Sequence, residues 1–86
     1  MTLRLTDHTV STDTDDGTVL LSRRTGHYWQ LNQTGAYALQ CLLDGGTLDQ
    51  VAEEFAEHFD IAPTQAHQDL TAMTERLRTS GLVETG

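Results

Sequence analysis

The chain has 86 residues and a net charge of −8, from thirteen acidic side chains against five arginines and no lysine. That length suits one domain, residues 1–86, with a modest core and little room for a deep catalytic cleft, and the charge repels a phosphate backbone over most of the surface, which argues against nucleic acid. Cys41 is the only cysteine, which excludes an internal disulfide and fits a reducing compartment; with no apolar run of signal-peptide or membrane-span length, the expected setting is the cytoplasm, with no membrane partner.

In chain order, residues 1–7 read as a lead-in, with an extra strand through Leu3 and Leu5 as an option. His8 to about Thr14 is rich in β-branched residues and poor in large apolar ones, as suits an outer strand with one wet face, and Val10 is its expected core residue. Asp15-Asp16-Gly17 is a hairpin signal, because Asp-Gly tolerates the left-handed conformations of a two-residue turn. Thr18 to Ser22 form the middle strand, with Val19, Leu20 and Leu21 consecutive and apolar. After a turn closed by Gly26, His27 to Leu31 form a third strand. The two-residue period puts Trp29 and Leu31 on one of its faces, Tyr28 and Gln30 on the other. Asn32 suits the cap of a following helix.

The second half is helical. Gln33 to about Leu43 carries Ala36, Leu39 and Leu43 at helical steps, and Gly45-Gly46 stops it. Thr47 and Gln50 resemble a capping box, ahead of an apolar face of Leu48, Val51, Ala52, Phe55, Ala56 and Phe59 opposed by Asp49, Glu53, Glu54 and Glu57. Pro63 opens a third helix that runs to about Ser80, with Ala66, Leu70, Met73 and Leu77 on one face and Gly81 ending it. Leu82-Val83 adds a short strand or docks on the core. The predicted fold class is α+β: a winged helix-turn-helix with an N-terminal three-stranded antiparallel sheet followed by three helices.

The four histidines lie on separate elements without metal-ligand spacing, so no metal site is expected. Cys41, among apolar helical neighbours, reads as a buried inert thiol, and no nucleophile, base and oxyanion group can be assembled from the sequence. The expectation is therefore no catalysis and no cofactor. A winged helix also invites a DNA-binding reading, which Asp69 and Glu75 on the candidate recognition helix weaken.

The ordered pieces Thr25-Gly26, Tyr28-Trp29, Leu31-Asn32, Thr34-Gly35-Ala36, Leu42, Asp44-Gly45 and Leu77 with Gly81-Leu82 cover nearly the whole chain after residue 15. In that order and spacing they resemble the PqqD-like leader-recognition domains (RiPP recognition elements) that serve the biosynthesis of ribosomally made, post-translationally modified peptides. The closer likeness is to the small stand-alone version that accompanies the leader peptidase of lasso-peptide clusters. The resemblance implies a domain that binds the leader segment of a precursor peptide as an added strand on its third strand, in a groove bounded by its third helix. It also implies a cysteine-protease-type leader peptidase as partner and a lasso cyclase downstream. Guests in that family typically present an aromatic, a proline and an aliphatic residue. The candidate peptide-binding residues are Tyr28, Trp29, Gln30 and Leu31 on the strand, and Ala66, Asp69, Leu70, Met73, Arg76 and Leu77 on the helix. Ordinary core packing competes for Trp29, Leu31, Leu70 and Leu77, and a solvated surface for Asp69 and Arg76.

Overall fold

The computed structural model describes residues 3–85, so Met1 and Thr2 of the expected lead-in lie outside the described residues, as does Gly86. The elements follow as β1 (Leu3–Leu5), β2 (Thr9–Thr14), β3 (Gly17–Ser22), β4 (Tyr28–Asn32), α1 (Gln33–Leu43), α2 (Leu48–Phe59), α3 (Pro63–Thr79) and β5 (Val83–Thr85). The class is α+β as expected, but the strands form two sheets rather than one. β2, β3 and β4 make an antiparallel meander in that order, and β1 pairs antiparallel with β5 in a separate ribbon. The ribbon joins the two ends of the chain, a pairing that no local hydrophobic period records. Arg4 and Glu84, opposite each other in the ribbon, are linked at 3.2 Å.

The meander differs from expectation at its first turn. Asp15 and Asp16 connect β2 to β3 without positive φ, and the left-handed allowance falls instead on Gly17, φ 151°, the first residue of β3. A Cβ there would overlap the carbonyl oxygen of Leu31, so glycine lets β3 and β4 close against each other. Gly26 behaves as the sequence suggests, with φ 79° in the β3–β4 turn. Val10 is a correction: it is exposed, because its register partner Leu21 and, across β3, Tyr28 stand on the outer face of the sheet. The three make an exposed apolar row across all three strands.

The inner face carries the core. Leu20 and Leu31 are buried against α1, whose stripe is rotated slightly: Ala38, Leu39 and Leu42 are buried, and the expected Ala36 and Leu43 pack half-buried beside them. The rotation follows from α1 packing on the sheet and on α2 at once, which buries adjacent positions 38 and 39. α2 buries Val51, Ala52, Phe55 and Ala56, as its period requires. Its capping box is complete: Gln50 N–H donates to Thr47 Oγ1 and Thr47 N–H to Gln50 Oε1, both at 3.1 Å. Asp60, φ 53°, ends the helix in the left-handed region. α3 packs along α2 and β5 and buries Ala66, Leu70 and Leu77. Its C-terminus is tied down by the Thr6 hydroxyl donating to Gly81 O at 2.9 Å and the Thr9 hydroxyl donating to Leu82 O at 3.0 Å.

Candidate functional site

Among the described residues β4 has a strand partner on one side only, β3. The direction of its free groups follows from the ladder. Ser22 N–H donates to His27 O at 2.8 Å, and Leu20–Trp29 and Thr18–Leu31 continue that set at two-residue steps. The N–H and C=O of Tyr28 and Gln30 therefore point away from β3, toward the open border. Asn32 shares that parity but is occupied as the α1 cap, its Oδ1 accepting from Gly35 N–H at 2.8 Å.

α3 flanks this border. It makes no broad contact with β4, and the space between them is an open groove of about 390 Å³ lined by Trp29, Glu75, Arg76, Thr79 and Ser80. Trp29 is half-buried and packs its inner side on the core, so part of the indole remains available to a guest. Glu75 is held by both carboxylate oxygens on Arg78 Nη2, each at 2.8 Å.

The candidate residues stand in different surroundings. Trp29 and Arg76 line the groove together. Ala66, Leu70 and Leu77 are 0%, 2% and 0% exposed and Leu31 is 6%, so these four belong to the core and offer no surface in the free protein. Met73 is half-buried against the same core, and Asp69 and Arg76 are exposed. Steps of about 100° per residue put Asp69, Met73, Arg76 and Ser80 along one side of α3. Tyr28 and Gln30 are exposed with their side chains on the outer face of the sheet, so what they can offer the groove is backbone. Sequence reasoning missed Glu75, Thr79 and Ser80 as lining residues. Their helical offset from buried Leu70 and Leu77 was the available signal, but which flank of α3 meets β4 depends on tertiary packing.

A more enclosed hollow of about 240 Å³ lies on another flank of α3, lined by residues including Leu3, Leu42, Leu48, Thr71, Thr74 and Arg78. It adjoins the β1–β5 ribbon, away from β4. Cys41 is half-buried rather than buried. Charge repulsion from an ionised Cys41, and then a hydrogen bond with it, raise the pKa of Tyr37, which favours the neutral phenol. Tyr37 also stacks on His58 with ring centroids 5.2 Å apart. Among the described residues no group of three or more His, Cys, Asp or Glu is placed to hold a metal ion, and no helix is long and apolar enough to cross a membrane.

Residues 17–83 match the family model described as coenzyme PQQ synthesis protein D (PqqD). Among solved structures the chain is similar to a lasso peptide synthetase B1 complexed with the leader peptide, at TM-score 0.92 and 35% identity over 99% of this chain and 100% of that one. It is similar to TbiB1 in complex with the TbiA(beta) leader peptide, at TM-score 0.85 and 24% identity over 96% of each chain. A third likeness is the PqqD truncation of Methylobacterium extorquens PqqCD, a functional and stand-alone RiPP recognition element, at TM-score 0.77 and 22% identity over 96% of this chain and 88% of that one. The last two bear on the fold alone. No curated protein matches the sequence.

Proposed function

This chain belongs to the PqqD family, and from that premise we propose that it is a non-catalytic recognition domain, residues 1–86, which captures the leader segment of a precursor peptide as an added strand on β4, beside α3. The observation that carries the reading is the border of β4: the outward N–H and C=O of Tyr28 and Gln30 lie next to a groove holding Trp29 and Arg76. Main-chain bonds would supply affinity and alternate guest side chains specificity, as in other strand-addition complexes. Four such bonds contribute about 1 kcal/mol each, and two or three guest side chains against Trp29, Met73 and the stem of Arg76 add roughly 1.5 to 3 kcal/mol each. Set against an association cost of roughly 4 to 15 kcal/mol, these terms reach micromolar or tighter binding only if the side-chain contacts contribute.

The 35%-identical neighbour, a lasso peptide synthetase B1 complexed with its leader peptide, supports the same occupant and a lasso-type pathway. In that setting the domain, in the cytoplasm, would present the precursor to a cysteine-protease-type leader peptidase ahead of a lasso cyclase, raising the local concentration of the cleavage site. The winged-helix DNA-binding alternative gains nothing from α3, where Arg78 is paired with Glu75 and Asp69 is exposed. The test is isothermal titration with a peptide carrying the cognate leader. A saturable 1:1 isotherm in the micromolar range or below is expected; no saturable signal at high micromolar peptide would remove the reading.

A further inference from the structure

The two walls of the groove share no broad contact. β4 is a strand of the meander, whereas α3 packs broadly on α2 and β5 and on no strand of the meander. Residues 6–9 span the gap at the end of α3, and His8 among them is bonded in both directions. On the sheet side its carbonyl accepts from Arg23 N–H at 2.7 Å, where β3 ends and the turn toward β4 begins. On the helix side His8 Nε2 lies 3.0 Å from Gly81 O, beside Ser80, which lines the groove. A carbonyl oxygen can only accept, so Nε2 carries the hydrogen. Gly81 O has a second lone pair and takes the Thr6 hydroxyl at 2.9 Å as well. Thr9, paired with Ser22 in the sheet, adds a parallel link through its hydroxyl to Leu82 O at 3.0 Å. The way α3 ends leaves these acceptors available. Gly81, φ 77°, turns the chain so that Leu82 N–H reaches back to Leu77 O and Gly81 N–H to Arg78 O, each at 3.0 Å. The donors of the turn are used within α3, and its carbonyls face residues 6–9.

From this bridge we propose that His8, supported by Thr9, is a positioning residue for leader binding: its imidazole holds the end of α3 at the distance from β4 that a guest strand needs. The proposal rests on the peptide-binding reading and adds a determinant of affinity that is not among the residues lining the groove. Removing the imidazole leaves Gly81 O bonded to Thr6, so no buried acceptor is orphaned and the fold survives. What is lost is the link between the sheet and the carbonyl that follows Ser80. The end of α3 then samples spacings that do not admit a guest, and the apparent affinity falls with the fraction of molecules that keep the competent one.

Trp29 is the chain's single tryptophan and lines the groove with Thr79 and Ser80, so its emission reports where the end of α3 stands. The experiment reads that emission in the free protein and the fluorescence polarisation of a labelled peptide carrying the cognate leader. It compares the native protein with H8A, H8Q, T9V and R4Q, their folding followed by circular dichroism. H8A should bind the leader about three- to fivefold more weakly, as the loss of one net hydrogen bond would give, with emission shifted to the red as water reaches the indole. T9V should move both readouts in the same direction by less. H8Q should restore both, because the glutamine amide can donate to the same carbonyl. R4Q removes the ion pair of the β1–β5 ribbon, away from the bridge, and should change neither. Native affinity and emission in H8A, or in T9V should H8A not fold, would overturn the proposal and leave strand capture intact. So would an H8Q no better than H8A, or an equal loss in R4Q. No binding by the native protein would overturn the peptide-binding reading and this proposal together.

Discussion

The meander has two borders, and they are not equivalent. β2 and β4 are both outer strands, and each leaves alternate backbone groups unpaired by β3. Arg23 N–H bonds His8 O, so Ser11 and Asp13 present the free groups on β2 as Tyr28 and Gln30 do on β4. Yet β2 is exposed at every residue except Thr9, and its polar, β-branched side chains offer no pocket. β4 has Trp29 half-buried and α3 alongside. Free main chain alone is indiscriminate, and exposed borders invite unwanted pairing. A border becomes a recognition site when a second element supplies a wall and apolar contacts that tell guests apart.

The largest effect should come from undermining that wall. Leu77→Ala removes a side chain that is 0% exposed beneath α3 and should cost about 2–5 kcal/mol of stability in urea unfolding. A loss under 1 kcal/mol would mean that α3 is not anchored to the core as described. Next comes a paired substitution at the two borders. Gln30→Pro deletes an outward N–H of β4, and Ser11→Pro deletes its counterpart on β2, where proline is tolerated on outer strands. Leader binding should weaken by about 1–3 kcal/mol in the first and stay unchanged in the second; equal losses would erase the distinction between the borders. Trp29→Ala tests the apolar contact alone. Because the indole is already half-buried in the free protein, the loss of affinity should be about 0.8–1.5 kcal/mol, half the value for a fully exposed side chain. No change would place the guest away from the indole.

Much of this arrangement was legible in the residues. Asn32 as a cap, Thr47 with Gln50 as a capping box, Pro63 at the start of α3 and positive φ at Gly26 are local features, set by neighbours a few positions away, and each is found where the sequence put it. What escaped depends on distance. β1 and β5 pair across the whole chain, with Arg4 and Glu84 80 positions apart. Val10 lies on the outer face because of its register with Leu21 and Tyr28, and a lone valine in a polar strand does not declare its face. The sequence reading chose Ala66, Asp69, Leu70, Met73, Arg76 and Leu77 on α3, and the structure separates them by burial. Ala66, Leu70 and Leu77 are buried in the core, and the hollow beside Trp29 is lined by Glu75, Arg76, Thr79 and Ser80. A periodic apolar face identifies what a helix buries, not what its neighbouring flank meets.

Amide hydrogen exchange resolved by residue tests strand addition most directly, in the free protein and with saturating leader peptide. The amides of Tyr28 and Gln30 should exchange quickly in the free protein and become strongly protected with the leader bound, while those of Ser11 and Asp13 stay fast in both states. Protection of Tyr28 and Gln30 without any peptide, or rates that do not change when the leader saturates, would contradict the account.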